Sequence, residues 1–252
     1  MKRRKFVATA AIGTAASTYA TAESIVRPQS NNNLSVIEWR TYKMQWGRNS
    51  QMFLKYVTEM LKPTLLNSGA SSFVVYKEQS IETPTNIHVQ IVYPDFGAYQ
   101  SGIIASHSSD FQMITKEYDA QDSSPYSRLS TSLLHAFSGM PQLKDPIDGA
   151  KLFELRIYEG YNEDAVRRKI AMFNDEEIDL FLDLQLQPIF FGEMIAGPYM
   201  PCLVYMLNFR DNEHRAEAWK EFGADPRWKK MVALPKYANT VSNIRNILLE
   251  VI

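Results

Sequence analysis

The stretch "VIEWRTYKM" (Val36–Met44) is repeated as "LFELRIYEG" (Leu152–Gly160), and this repetition predicts the fold. The polar residues of the pattern are Glu38, Arg40 and Tyr42 in the first copy and Glu154, Arg156 and Tyr158 in the second. They occupy alternate positions, with mostly apolar residues between them. Such alternation is typical of a β-strand that has one polar and one apolar face. We therefore expect each stretch to be the first strand of a duplicated unit.

The spacing between the two copies is constant along the chain. Glu154 follows Glu38 by 116 residues, and Asp211 follows Asp95 by the same number. Each copy reads strand, helix, strand, strand, helix, strand, which is the ferredoxin-like β-α-β-β-α-β order. Helices cover one face of such a sheet, so two units can bury the other faces against each other. The predicted fold is α+β, with two fused ferredoxin-like units in a dimeric-α+β-barrel-type arrangement.

Composition changes along the chain predict the boundaries of these units. We assign residues 1–22 to a signal peptide and 23–35 to a polar linker, because three consecutive Asn residues cannot bury enough surface to become ordered. The first domain spans 36–138 and the second spans 151–252. Between them, the Pro-, Gly- and Asp-rich residues 139–150 form a second linker.

The N-terminus is typical of an exported protein. "MKRRKF" is a basic head, followed by the weakly apolar run "VATAAIGTAASTYATAES" with small residues for cleavage. Arg3 and Arg4, followed by Lys5 and Phe6, resemble a twin-arginine signal, although Lys2 stands where that signal has Ser or Thr. The predicted location is periplasmic or otherwise exported, with no stable membrane insertion after cleavage.

Charge and cysteine content exclude several classes of function. The formal net charge is −1, and no basic block follows the N-terminus, so we expect no nucleic-acid partner. Cys202 is the only cysteine, which rules out an intrachain disulfide and a zinc site built from several thiolates. Within "MPCLVYMLNF" it is predicted to be a small core residue.

The second unit resembles the NIPSNAP family, within the dimeric α+β barrel superfamily. The resemblance is carried by "FELRIYEG", "NEDAVRRKIAMFN", "PIFFGEMIAGP", "LVYMLNFRD" and "AWKEFGADPRWKKM". The first unit resembles the family more loosely, through "IEWRTY", its central strands and "STSLLHAFSGMPQL". With the signal peptide, the pattern is similar to an exported bacterial member with tandem domains. The resemblance implies a fold but no defined reaction, because a fold does not determine activity.

The polar stripe of the repeated strand has two interpretations. We expect its apolar side to lie under the helices and its polar side to face the space between the two sheets. There the Glu and Arg side chains would pair across strands, or the stripe would bind a small anionic, partly planar ligand. The predicted ligand-binding residues are Glu38, Arg40, Tyr42, Glu154, Arg156 and Tyr158.

The four histidines form no metal-binding pattern, and no metal site is predicted. His88 shares a strand face with Gln90 and is a candidate catalytic residue, together with Tyr42 and Tyr158. No cofactor is predicted. Haem stays open, because other barrels of this superfamily carry it on a single histidine.

Three functions are compatible with the sequence. The first is an exported module that binds a small ligand or a partner and dimerises further. The alternative is an oxidoreductase, either cofactor-independent or haem-dependent, in which the histidine and tyrosines move protons. The third is a scaffold whose barrel is filled by side chains. The polarity of the barrel interior distinguishes them.

Overall fold

The computed structural model describes residues 34–46, 50–81, 83–184 and 186–252, which form one compact unit. The predicted signal peptide and most of the first linker lie outside these residues. In the part of the chain that is described, no helix is long and apolar enough to cross a membrane.

Eight strands and two sets of helices follow one another in the predicted order. The strands are β1 (Val36–Met44), β2 (Ser72–Glu78), β3 (Ile87–Tyr93), β4 (Tyr126–Ala136), β5 (Leu152–Glu159), β6 (Pro188–Ala196), β7 (Cys202–Phe209) and β8 (Asn243–Val251). The helices of the first unit are α1 (Ser50–Lys55), the π-helical π1 (Tyr56–Leu61), α2 (Lys62–Asn67), α3 (Phe96–Ser106) and α4 (Ser109–Asp119). Those of the second are α5 (Glu163–Met172), the π-helical π2 (Phe173–Glu177), α6 (Ile178–Asp183), α7 (Asn212–Ala224) and α8 (Pro226–Val232).

The eight strands close into one antiparallel barrel in the order β1-β3-β2-β8-β5-β7-β6-β4. Each unit contributes four adjacent strands, and the units meet where β2 pairs with β8 and where β4 pairs with β6. Closure leaves no free sheet edge. The predicted fold class, two ferredoxin-like units in a barrel, is confirmed.

The predicted orientation of the repeated strands is wrong. The barrel interior holds the apolar side of β1 and β5, in a cluster that includes Ile37, Trp39, Tyr76, Leu134, Phe153, Leu155, Ile157, Phe190, Met206 and Leu249. The polar stripe points outward instead, into the layer between the sheet and the helices. Tyr42 packs there with Phe53 of α1, and Tyr158 packs with Phe173 of π2.

The physical reason is that closure buries both faces of these strands. Alternation separates the two faces of a strand but does not say which one meets the helices. Most of the interior is occupied by the apolar cluster, whereas the helices bring polar partners to the stripe. Glu154, for example, accepts hydrogen bonds from Arg215 and Trp219 of α7.

Two local features differ from what the sequence predicts. The Asp-Pro pair of "DPRWKK" predicts a turn, but the segment begins the helix α8, with the Asp225 side chain accepting from the backbone N–H of Arg227 at its start. The long helix of each unit also contains a π-helical turn, π1 or π2, at the same place. Such turns are rare in proteins overall, but those that occur are often found at functional sites.

Leu249→Ala tests the closure of the barrel. Leu249 is fully buried in the interior cluster, where β8 pairs with Phe153 of β5 and with Glu78 of β2. The substitution should lower the free energy of unfolding by about 2–5 kcal/mol, measured by urea denaturation followed by tryptophan fluorescence.

Val251→Ala is the matched control on the same strand. Val251 is 50% exposed, so its truncation should change the free energy of unfolding by less than about 0.5 kcal/mol. Equal effects of the two substitutions would contradict the closed interior.

Candidate functional site

A carboxylate with no solvent exposure anchors a polar network beneath the helices of the second unit. Glu154 accepts from Arg156 at 2.8 Å, from both Nε and Nη2 of Arg215 at 2.7 and 2.9 Å, and from Trp219 Nε1 at 2.8 Å. Burial raises the pKa of Glu154, but the hydrogen bonds from Arg215 and Trp219 and the charge of Arg156 outweigh it. The net pKa lies below the ordinary value, so Glu154 is ionised at neutral pH.

Arg156 connects this carboxylate to an aromatic surface. Its guanidinium carbon lies 4.5 Å from the ring centre of Trp219 and 5.6 Å from that of Tyr158. These distances are those of cation–π contacts. The Nε–H of Arg156 is buried and has no hydrogen-bond partner, although the side chain as a whole is 16% exposed.

Two tyrosine hydroxyls lie next to Arg156. The Tyr205 hydroxyl donates to the Tyr158 oxygen at 2.8 Å. Burial raises the pKa of Tyr158, while Arg156 and the hydrogen bond from Tyr205 lower it in part. Burial also raises the pKa of Tyr205, well above its ordinary value. Both phenols are therefore protonated at neutral pH.

A buried ion pair spans the π-helical turn of the same unit. Lys169 Nζ donates to Glu177 Oε2 at 2.7 Å, and the two residues are 4% and 2% exposed. Rings surround the ammonium: that of Phe173 is 4.6 Å away, and that of Trp228 is 5.6 Å away. Burial raises the pKa of Glu177, and the charge and hydrogen bond of Lys169 only partly counteract it.

The first unit lacks most of this network at the equivalent positions, 116 residues earlier. Arg40 still donates to Glu38, at 2.6 Å. The positions of Lys169, Glu177, Tyr205, Arg215 and Trp219 are taken by Phe53, Leu61, Val89, Tyr99 and Ile103. Phe53 and Leu61 are as deeply buried as the ion pair, at 0% and 1% exposure. The fold therefore does not require the charges.

The network of the second unit opens to solvent along β8. Arg156 and Tyr158 are half-buried, whereas Arg40 and Tyr42 are buried. The β8 residues beside them on the same face are Asn246, next to Arg156, and Ile244, next to Tyr158. Both are exposed. We call Arg156, Tyr158, Trp219, Ile244 and Asn246 the β8 groove.

The predicted site residues thus separate into three places. Glu38, Arg40 and Tyr42 lie under the first unit's helices, and Glu154, Arg156 and Tyr158 lie under those of the second. In both units the Glu–Arg pair joins residues of one strand, two positions apart, and does not bridge two strands. His88 lies inside the barrel, so the fold does not bring it to either tyrosine.

His88 is 2% exposed and its ring is enclosed. Its Nδ1 accepts from Trp39 Nε1 at 3.2 Å and lies 3.0 Å from the Thr41 hydroxyl. Its buried Nε2 is 3.6 Å from Glu78 Oε2. Neither nitrogen is open to a haem iron, so these surroundings do not fit an axial haem ligand. Among the described residues, no group of three or more His, Cys, Asp or Glu side chains could hold a metal ion.

Sequence reasoning missed the helix residues of the network: Lys169, Glu177, Arg215 and Trp219. A signal was present in the duplication itself. Aligning the copies at the 116-residue offset shows charged residues of the second copy at positions that are apolar in the first. Buried charges at positions where the fold accepts Phe and Leu point to a role beyond packing.

Comparison with known proteins agrees with this geometry. Residues 153–251 match the NIPSNAP family model, so the second unit is a NIPSNAP domain, as predicted. A proposed monooxygenase from Fusobacterium nucleatum superimposes with a TM-score of 0.58 at 9% identity, over 86% of this chain and 92% of that one. One from Lactobacillus acidophilus gives 0.58 at 13% identity, over 86% and 94%. At these identities the similarity shows that the folds are alike, and it says nothing about the reaction.

A NIPSNAP-like protein from Burkholderia xenovorans is 23% identical, with a TM-score of 0.37, and covers 40% of this chain and 84% of its own. A search of curated proteins finds no significant match. The comparisons therefore establish the domain and the barrel, and no specific activity.

The pair Lys169–Glu177 can be tested by single and double substitution. Lys169→Met alone leaves a buried carboxylate without its partner and should lower the free energy of unfolding by about 3–5 kcal/mol at pH 8. Adding Glu177→Leu should restore most of that loss, because the first unit buries the apolar residues Phe53 and Leu61 at these positions. Urea denaturation of the three proteins measures both values.

The same variants predict a pH dependence. Burial already raises the pKa of Glu177, and removal of Lys169 raises it further. Lys169→Met should therefore regain stability as the pH falls from about 8 to 5, since the carboxyl binds its proton more readily in the folded state. The double variant should show no such gain. A gain of equal size in both variants would contradict the assignment to Glu177.

Proposed function

We propose that this protein binds a small anionic, partly planar molecule in the β8 groove of its NIPSNAP domain. The observation that carries the proposal is Arg156, a 16% exposed arginine beside an open sheet face, whose guanidinium donates to Glu154 through Nη1 and has further N–H groups for a ligand. A guanidinium binds carboxylates through charge-assisted hydrogen bonds. The rings of Trp219 and Tyr158 lie against this guanidinium and provide flat surfaces next to it.

The difference between the two units supports this location. Glu154 already has Arg215 and Trp219 as partners, so Arg156 is not needed to neutralise it. In the first unit, the partners of Glu38 among the described residues are Arg40 and, through a longer hydrogen bond of 3.3 Å, Tyr93. In the first unit, Arg40 is therefore needed to neutralise Glu38. In the second unit, Arg215 already neutralises Glu154, so the charge of Arg156 is available to a ligand.

Benzoate is a suitable probe, because it has one carboxylate and one flat ring. Arg156→Met should weaken benzoate binding by about tenfold or more, the loss expected for a charge-assisted hydrogen bond. Isothermal titration calorimetry measures the affinity. Cyclohexanecarboxylate, which has the same charge but is not flat, should bind more weakly than benzoate to the unmodified protein.

Arg245→Met is the matched control. It removes the same charge from neighbouring β8, but Arg245 lies on the other face of the strand, paired with Glu159. Benzoate affinity should be unchanged in this variant. An equal loss in both variants, or equal affinity for the two acids, would contradict binding in the groove.

A second candidate function, a cofactor-independent oxidoreductase, is favoured by the hydroxyl pair of Tyr158 and Tyr205. A tyrosine at the edge of the groove, hydrogen-bonded by a second tyrosine, can exchange a proton with a bound phenol. Oxygen uptake with hydroquinone would then be lost in Tyr158→Phe and kept in Tyr42→Phe, whose ring is buried in the first unit. Equal uptake by both variants would exclude this role.

We further propose that the protein is exported by the twin-arginine route, on the strength of the "MKRRKF" head and the weakly apolar run that follows it. Replacing both arginines, Arg3→Lys with Arg4→Lys, should leave the uncleaved protein in the cytoplasm. Cell fractionation and N-terminal sequencing of the purified protein test this. An exported variant with the same mature N-terminus would exclude that route.

A further inference from the structure

The barrel interior contains a polar group that the fold leaves without a partner. Gln90 of β3 is 1% exposed, and its amide oxygen accepts from the Tyr76 hydroxyl at 2.9 Å. Its amide nitrogen is buried and makes no hydrogen bond. Almost all buried polar atoms in proteins have a partner, so an unpartnered one needs an explanation.

Gln90 and Tyr76 line a cavity of about 470 Å³ at one mouth of the barrel. The cavity lies between the interior side of β2 and β3, where Ser72 faces Val92, and the linker segment near Leu143. Its volume is within the range of sites for small molecules. The side chain that carries the unpartnered amide nitrogen thus lines a space that a ligand can enter.

The equivalent positions of the second unit show which other residues the barrel interior accepts here. The positions of Gln90 and Tyr76 correspond to Met206 and Gly192, 116 residues later, and Met206 is fully buried in the interior cluster. Methionine has nearly the same shape as glutamine but no N–H group. The barrel wall is therefore compatible with an apolar residue here. In the first unit the amide oxygen of Gln90 serves the Tyr76 hydroxyl, which has no counterpart at Gly192, and the amide nitrogen is the part without a role in packing.

We propose that this mouth of the barrel is a second binding site, for a small uncharged molecule with a carbonyl group. The carbonyl oxygen accepts the hydrogen bond that the Gln90 amide nitrogen now lacks, and the apolar part packs against Val92, Leu143 and Ile189. This site is separate from the β8 groove, because β3 and the linker are not part of that groove.

The charges around the cavity explain why the ligand is neutral. Among the described residues that line it, the charged ones are Lys144 and Asp145, which are both exposed and have opposite signs. The other polar lining side chains are neutral hydroxyls and amides, and the buried donor without a partner is the amide of Gln90. A buried carboxylate would lose its hydration without gaining a cationic partner, whereas a carbonyl needs only one hydrogen bond.

Cyclohexanone is the probe for this site, and methylenecyclohexane is its isostere without the oxygen. In protein labelled with ¹⁵N, the side-chain amide resonances of Gln90 are identified by their absence in Gln90→Met. Cyclohexanone should shift these resonances and bind about tenfold or more tightly than methylenecyclohexane. Gln90→Met, made together with Tyr76→Phe so that no buried hydroxyl loses its acceptor, should bind the two probes with equal affinity, measured by saturation-transfer NMR.

Two further variants separate the possible outcomes. Ser72→Phe leaves Gln90 in place but fills the cavity, so it should abolish binding of both probes. Arg156→Met should change neither affinity, which keeps this test independent of the β8 groove. The proposal is overturned if cyclohexanone leaves the Gln90 resonances unchanged, or if the unmodified protein binds both probes equally.

Discussion

Closure of the eight-stranded barrel is the constraint on which the rest of the structure depends. Because β2 pairs with β8 and β4 with β6, both faces of the repeated strands β1 and β5 become buried. Every charge that is buried on these strands must then find a partner inside the protein. The bidentate contact of Arg215 with Glu154 is the clearest example, since it ties α7 to the middle of the sheet.

The two units carry buried polar residues at different positions of the same fold. The first unit places polar side chains inside the barrel, with His88 and Gln90 where the second has Val204 and Met206. The second unit places them under the helices, where Lys169 and Glu177 replace the Phe and Leu of the first. Each unit thus shows what the fold tolerates at the other's polar positions. The fold therefore requires neither set, and the two ligand sites that we propose lie beside them, at Gln90 in the first unit and at Arg156 in the second.

The duplication allowed much of the fold to be predicted from the sequence. The 116-residue offset of Glu38 and Glu154 correctly predicted two β-α-β-β-α-β units, and the NIPSNAP resemblance of the second unit is confirmed. The face of the repeated strand was predicted wrongly. Two partners of Glu154, Arg215 and Trp219, are on α7, about 60 residues away, and a strand's own pattern holds no information about contacts at that distance.

The sequence alone therefore determined the order of the elements, the duplication and the identity of the polar residues, because these depend on local periodicity and spacing. The tertiary structure decided which way the polar stripe points and which charges meet. It also decided that Gln90 is left without a partner at a cavity while His88 is enclosed. These outcomes depend on which side chains the helices and the opposite sheet bring to each face, and that is set only when the barrel closes.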